Sequence, residues 1–364
     1  MTMQILCVDV GTGTQDILLF DSEREIENCV QLIVPSPTQI VAGKIRKATA
    51  AHRDVLLTGR TMGGGPCAWA AEEHLRRGAS VYATVDAALT FDDELAKVEQ
   101  MGVRIVAEGE ANRLTDVERV HMGDLDLDAI GAAIERFGVS FAPAAVAVAV
   151  FDHGNAPPGI SDRVFRFEYI AETVVQNDFT AFAYRRGAIP ERLTRMRAAA
   201  EGVPDGLPVL VMDTAPAAVL GALEDPLTRQ EEHSLIANLG NFHTLAFHLS
   251  GGQIQGLFEH HTGELSVVKL ERYLGQLADG TISNAEVFAD MGHGALVVRA
   301  SEVRPHFLAV TGPRRSLLAG SALCPYGAVP HGDMMLAGCF GLLRAVATKY
   351  PEYRPAIEER LRPA

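Results

Sequence analysis

The chain has 364 residues, 48% of them hydrophobic and 21% charged, which is enough apolar mass for a packed core and for two domains at roughly 150 residues each. Its formal net charge of −14 argues against a free-standing nucleic-acid binder, which needs a basic face to neutralise phosphates. No apolar run approaches the roughly 18 residues of a membrane span, and the first residues lack a basic, cleavable leader, so no membrane association and a cytoplasmic location are expected.

In chain order, short apolar runs alternate with helical patterns. Ile5 to Val10, Asp16 to Phe20, Val30 to Val34, Val55 to Thr58, Val81 to Thr84, Val103 to Ala107 and Ala144 to Phe151 read as strands. Helices are predicted over Cys67 to Arg77, Phe91 to Met101 and Leu127 to Phe137, and a long helical stretch from Ala171 to Glu201 is interrupted near Pro190. The Pro/Gly-rich segment Gly202 to Pro208 reads as a linker, dividing the chain into 1–205 and 206–364. Beyond it come a strand at Val209 to Met212, a helix at Ala215 to Leu223 and a meander of Ser234 to Leu239, Thr244 to His248 and Gln253 to Phe258. A helix at Leu265 to Leu277, a strand at Phe307 to Val310 and a helix at Asp333 to Thr348 close the chain. Strands alternating with helices make this an α/β protein.

Five segments bring chemistry to strand ends. In Val8-Asp9-Val10-Gly11-Thr12-Gly13-Thr14-Gln15-Asp16 an aspartate ends a buried strand and a Gly/Thr turn follows. Glycines let backbone N–H groups approach phosphate oxygens, threonine hydroxyls add donors, and the aspartate can hold Mg²⁺ through water. The same segment reads equally as a hairpin with an acidic strand end. Leu239-Gly240-Asn241-Phe242-His243-Thr244 repeats the strand–Gly turn–strand pattern. Asp213 ends a strand before a helix of small residues, which is also the pattern of a helix N-cap. Thr311-Gly312-Pro313 is a strand running into a Gly turn, and Gly332 to Cys339 opens a small-residue helix.

The order of these five segments resembles the actin-like ATPase superfamily, which includes sugar kinases, Hsp70 and actin. The resemblance implies two actin-like (ribonuclease H-like) domains closing on a nucleotide cleft, with ATP and Mg²⁺ as cofactors. It implies that Gly11, Thr12, Gly13, Thr14 and Gln15 hold phosphates from one side, and Gly240, Asn241 and Thr244 from the other. Thr311 and Gly312 would meet the adenosine, and Asp9 would position Mg²⁺ through water. Asp213 through Gly240 is similar to the segment of FGGY sugar kinases that carries the catalytic base, which implies that role for Asp213. Asn238, Asn241-Phe242-His243 and Pro313 depart from the superfamily pattern. A second resemblance covers nearly the whole chain and rests on Val8 to Phe20, Thr58 to Pro66, Asp152-His153-Gly154 and Glu259-His260-His261-Thr262. It is to a prokaryotic family sometimes labelled pyruvate formate-lyase-activating protein. A radical activase of that kind needs a clustered cysteine triad. The five cysteines, at 7, 29, 67, 324 and 339, form no such run, and buried reduced thiols are expected.

Two features stand outside nucleotide binding. Gly63-Gly64-Gly65 lies between a strand and a helix, either as an anion-binding substrate loop or as a flexible turn. In a two-residue hairpin turning on Gly251-Gly252, His243 falls opposite His260, with His261 and Glu259 beside them. Such a group would contact a phosphate, a substrate anion or a metal, or would simply be solvated histidines. Asp152 and His153 follow a buried strand and are candidate cleft residues.

The expected activity is ATP- and Mg²⁺-dependent phosphoryl transfer to a small molecule. An ATPase switch acting on a protein partner, a non-catalytic binding protein on a degenerate actin-like frame, and a metal-dependent hydrolase centred on the histidines are the alternatives.

Overall fold

In the computed structural model, which describes residues 2–300 and 302–362, three sheets are built in chain order. Strands β1 (Gln4–Val10), β2 (Thr14–Asp21) and β3 (Val30–Pro35) form an antiparallel meander. Pro37–Ala50 then forms helix α1, with Pro37 in its first turn, where a missing N–H costs nothing. Its buried residues Val41, Ala42, Ile45 and Ala48 recur at helical spacing.

Next comes a separate parallel sheet, in the order β6-β5-β4-β7: β4 (Asp54–Gly59), β5 (Val81–Ala83), β6 (Arg104–Ile105) and β7 (Val117–Met122). Helix α2 (Pro66–Arg76) connects β4 to β5. This unit has its own core, including Val55, Leu57, Val81, Val120 and Met122.

The chain returns to the first sheet with β8 (Ala145–Val150), β9 (Ala183–Arg185) and β10 (Val209–Asp213). All six residues of β8, Ala-Val-Ala-Val-Ala-Val, are buried, as a central parallel strand requires. Helix α3 (Asp162–Val174) precedes β9. The helical stretch expected from Ala171 to Glu201 is therefore replaced by the end of α3, a short 3-10 turn, edge strand β9 and a helix at Thr194–Glu201.

Helix α4 (Thr214–Ala222) leads into the third sheet: β11 (His233–Leu239), β12 (His243–Ser250), β13 (Gln253–His261), β14 (Gly294–Val297), β15 (Phe307–Thr311) and β16 (Tyr326–Gly327). Helix α5 (Val267–Ala278) packs its Leu270, Tyr273, Leu274 and Leu277 beneath it. Helix α6 (Ala337–Lys349) follows β16.

The first sheet runs β3-β2-β1-β8-β10-β9 and the third runs β14-β13-β12-β11-β15-β16. In each, an antiparallel meander is continued from its first strand by two parallel strands. This duplicated order is that of two ribonuclease H-like domains, the actin-like arrangement. The second parallel strand is β10 in one sheet and β16 in the other.

The boundary expected at 205/206 does not follow the sheets. β10 pairs with β8 and so completes the first sheet, and α6 packs back against β1, β2 and β8. The chain therefore crosses between the two sheets through α4 and returns through α6. These helices pack against each other so closely that a Cβ on Gly221 would overlap the Ala337 carbonyl, and one on Gly341 the Ala217 carbonyl. Glycine is required there by close backbone approach rather than by torsion angle. Among the described residues, no helix is long and apolar enough to cross a membrane.

Candidate functional site

The β1–β2 and β11–β12 turns are built alike. Gly11 N–H donates to the Thr14 carbonyl and Gly240 N–H to the His243 carbonyl, each at 2.9 Å. The two turns approach each other so closely that a Cβ on Gly13 would overlap the Asn241 amide. Beside them lies a cavity of about 670 Å³, lined by Asp9, Gly11, Thr12, Thr14, Asp16, Gly240, Asn241, Thr311 and Gly312 among others. Its far wall comes from the inserted sheet and its surroundings, with Gly63, Gly64, Gly65 and Asp93, and from Asp152, His153 and His243.

Asp9 and Asp16 are cross-strand partners and share a face of the hairpin. Thr214 Oγ1 donates to Asp9 Oδ1 at 2.5 Å. Asp16 Oδ1 is buried with no hydrogen-bond partner among the described residues. Burial pushes the Asp9 carboxyl up to about 6, and burial with the neighbouring Asp9 pushes Asp16 up to about 8. Two adjacent carboxylates, one with an orphaned oxygen, suit a hydrated Mg²⁺, which takes oxygen ligands and keeps most of its waters. The sequence reading missed Asp16, although the hairpin register that pairs Val10 with Gln15 also pairs Asp9 with Asp16.

Several expected residues have other partners. Asp213 does not reach the cavity. It is fully buried, accepts from Arg166 Nη1 at 2.7 Å and caps α4 by accepting from Ala215 N at 3.2 Å. A carboxylate bound this way has no path to a substrate hydroxyl, so the catalytic-base role is corrected. Gln15 turns its amide to the Pro35 carbonyl, and Thr244 is buried against the Thr262 hydroxyl. Gly312, at φ 95°, packs on Leu239, and its N–H donates to Met334 Sδ. In the Gly63–Gly65 loop, the N–H of Gly63 is held by Asp124, and those of Met62 and Cys67 by Thr90 and Thr38. That loop follows β4, next to β7, where the strand order of the inserted sheet reverses, the usual place for a ligand crevice.

The histidine pairing also differs. A bulge between His248 and Leu249 shifts the register by one residue, so His243 faces His261 and Thr244 faces His260. One slipped residue turns each side chain to the opposite face. His260 is buried beside Tyr273, with its Nε2 3.6 Å from Asp290 Oδ2. His243 instead meets His153 and His293, with ring centroids 5.8 and 5.1 Å away. His293 and Phe151 were given no role in the sequence. The Gly292-His293-Gly294 turn was the visible signal for the first of these.

On the cavity wall, Asp93 sits near Asp92, Asp152 and Asp162. Burial, then repulsion from Asp162 and Asp152, pushes its carboxyl up to about 6. The folded state therefore binds this proton more tightly than the unfolded state. The stability it contributes is complete below about pH 4 and is lost as pH rises through 6. Asp93→Asn is expected to melt higher than wild type at pH 8, with the gap closing toward pH 4. A gap independent of pH in thermal melts would remove the assignment. At the cavity's lip Trp69 of α2 packs on Phe242 of the second turn, with ring centroids 5.9 Å apart and both rings exposed.

Residues 62–317, well over half of the chain, match the family model described as "Putative pyruvate format-lyase activating enzyme (DUF1786)". The chain belongs to this family. The chemistry in that description does not fit the sulfur donors present. Cys7, Cys29, Cys67 and Cys339 are buried thiols whose pKa values burial pushes up, and Cys324 is exposed. Among the described residues the one convergent group of three or more metal-ligating side chains is made of histidines. No curated protein matches the chain. Similar solved structures include a ROK hexokinase from Thermus thermophilus, 14% identical, covering 96% of this chain and 100% of that one, with a TM-score of 0.32. A ROK family glucokinase from Streptomyces griseus in complex with glucose and AMPPNP is 14% identical, with 93% and 97% covered and a TM-score of 0.33. The Aquifex aeolicus member of the Ppx/GppA family is 9% identical, with 99% and 91% covered and a TM-score of 0.29. The duplicated sheet order establishes the fold independently of them.

Proposed function

We propose that the cleft binds ATP with Mg²⁺ and transfers the terminal phosphoryl group to a small molecule. One observation carries this reading. Two glycine turns of the same hydrogen-bond geometry, one from each duplicated sheet, meet beside a cavity that also holds the Asp9–Asp16 pair. Backbone N–H groups and the Thr12 and Thr14 hydroxyls would hold phosphate oxygens, and Asp9 and Asp16 would hold the hydrated ion. Mg²⁺ when bound supplies charge neutralisation at the phosphates. The protein's own share is positioning: the turns fix the phosphates, and the Gly63–Gly65 wall presents the acceptor.

With Asp213 withdrawn, Asp93 becomes the candidate base. It lines the cavity beside Gly63 to Gly65, and its raised pKa suits proton transfer near neutral pH. The acceptor hydroxyl would give its proton to Asp93. Its oxygen then forms a bond to the γ-phosphorus as the bond to the β-phosphate oxygen breaks, and ADP leaves.

The test is thermal unfolding with and without Mg²⁺-ATP. Nucleotide at a hundred times its dissociation constant is expected to add about 2.7 kcal/mol to the folded state. Asp9→Asn should abolish that gain, whereas Asp93→Asn should keep it and lose turnover. No shift at millimolar nucleotide would overturn the reading.

A further inference from the structure

Phosphoryl transfer leaves unused a cluster at the inner end of the cavity. His153 follows β8, His243 begins β12 and His293 stands just before β14. They come from both duplicated sheets, and one ligand nitrogen from each lies within 4.8 Å of the other two. His243 is held flat by stacking on Phe151, at 3.8 Å between centroids and 3° between planes. His293 is held by its flanking glycines. A Cβ on Gly292 would meet Val287 and the His260 ring, and one on Gly294 would meet Phe167 at 2.6 Å. Bulkier neighbours would push His293 out of its buried position.

Nε2 of His243 and both ring nitrogens of His293 are buried and make no hydrogen bond among the described residues. Leaving such groups buried and unsatisfied is destabilising. The guanidiniums nearest them are themselves engaged: Arg166 faces both Asp213 and Glu259, Arg195 pairs with Asp124, and Arg163 donates to the Phe288 and Gly292 carbonyls. Glu259 Oε1 also lies 3.5 Å from His293 Nδ1, placed as the outer carboxylate that commonly orients a metal-bound imidazole. His261 packs on His243 and His293 with its Nδ1 committed to the Met291 carbonyl at 2.7 Å, so it flanks the group.

We propose that His153, His243 and His293 bind one divalent transition-metal ion, with a coordination position open toward the cavity. Three imidazoles without thiolate suit zinc, which takes three protein ligands and one exchangeable ligand in open sites. His153 and His243 line the cavity, so the exchangeable ligand is water or an anionic oxygen of a bound small molecule. The histidines bring no charge to offset the ion's own, which favours an anion there. This site does not depend on the nucleotide reading, and its test contains no nucleotide.

Protein made without a polyhistidine tag is stripped with chelator and titrated with Co²⁺, then Zn²⁺. One equivalent of Co²⁺ is expected, with the visible absorption of a four- or five-coordinate site, and one equivalent of Zn²⁺ should displace it. X-ray absorption of the zinc form should show imidazole nitrogens at about 2.0–2.1 Å. His153→Gln and His293→Gln should each weaken binding at least about tenfold, while the exposed His306→Gln leaves it unchanged. Failure of the wild-type protein to hold one equivalent through dialysis would overturn the site. So would a zinc shell lacking imidazole, or undiminished affinity in the His153→Gln/His293→Gln double variant. The wild-type measurements decide the matter even where a variant does not fold.

Discussion

Arg166→Met is expected to destabilise the protein by about 3–5 kcal/mol, the cost of leaving buried charges without their partner. The Arg166 side chain is fully buried. It donates to Glu259 through Nε and Nη2 at 2.7 Å each, to Asp213 through Nη1 at 2.7 Å and Nη2 at 3.2 Å, and to the Asp152 carbonyl at 2.8 Å. Burial opposes the charge, yet the two carboxylates hold the guanidinium more firmly protonated than usual. Asp213 ends β10 of the first sheet, and Glu259 lies in β13 of the third. Removing the guanidinium would leave two buried carboxylates facing each other. Burial already raises the Glu259 carboxyl, and loss of the guanidinium that lowers it would raise it further, so the deficit should be smallest at low pH and grow as pH rises. Urea unfolding at pH 5 and pH 8 measures both the size and the slope. Adding Asp213→Asn and Glu259→Gln to Arg166→Met should recover much of the loss, because no orphaned charge remains. A deficit below about 1 kcal/mol, the scale of an exposed pair, would mean that the triad is solvated rather than buried.

Gly221→Ala is expected to cost about 1–3 kcal/mol or more and to weaken nucleotide binding at the same time. The new methyl would overlap the Ala337 carbonyl, which is backbone and cannot rotate aside. Helices α4 and α6 would have to separate. A Cβ on Gly338, in the first turn of α6, would overlap the Asp9 carboxylate, so any outward shift of α6 also disturbs the candidate Mg²⁺ position. The expected result is a lower Tm together with a smaller Mg²⁺-ATP shift. Gly275→Ala in α5 is the control: nothing stands within 4 Å of its added Cβ, and alanine favours helix by up to about 1 kcal/mol. Equal behaviour of the two variants would show that the α4–α6 crossing is not tight.

The strands that build the floor of the cleft were legible because their residues obey one local rule at a time. Ala145–Val150 is apolar on both faces, and the Gly11–Thr14 and Gly240–His243 turns carry the residues that their geometry demands. Helix α1 was not predicted, since Pro35-Ser36-Pro37 reads as a break, while in the fold Pro37 starts the helix. Strand β7, Val-Glu-Arg-Val-His-Met, hides its three buried residues among polar ones. The His243 pairing was missed by one residue because a bulge leaves no mark in the local sequence. Asp213 shows the limit most plainly. Its strand-end position suited a base, but its occupation depends on Arg166, 47 residues earlier in the chain. Burial and long-range pairing of that kind exist only in the folded molecule.

Trp69 is the chain's single tryptophan, and its ring rests on Phe242 where the inserted sheet meets the second glycine turn. The protein thus carries its own optical gauge. Indole emission is sensitive to both neighbouring rings and water, and here every photon originates at the gap between those two bodies. Closure of the cleft over a ligand, as the proposed reaction requires, would be read in real time from the unlabelled chain.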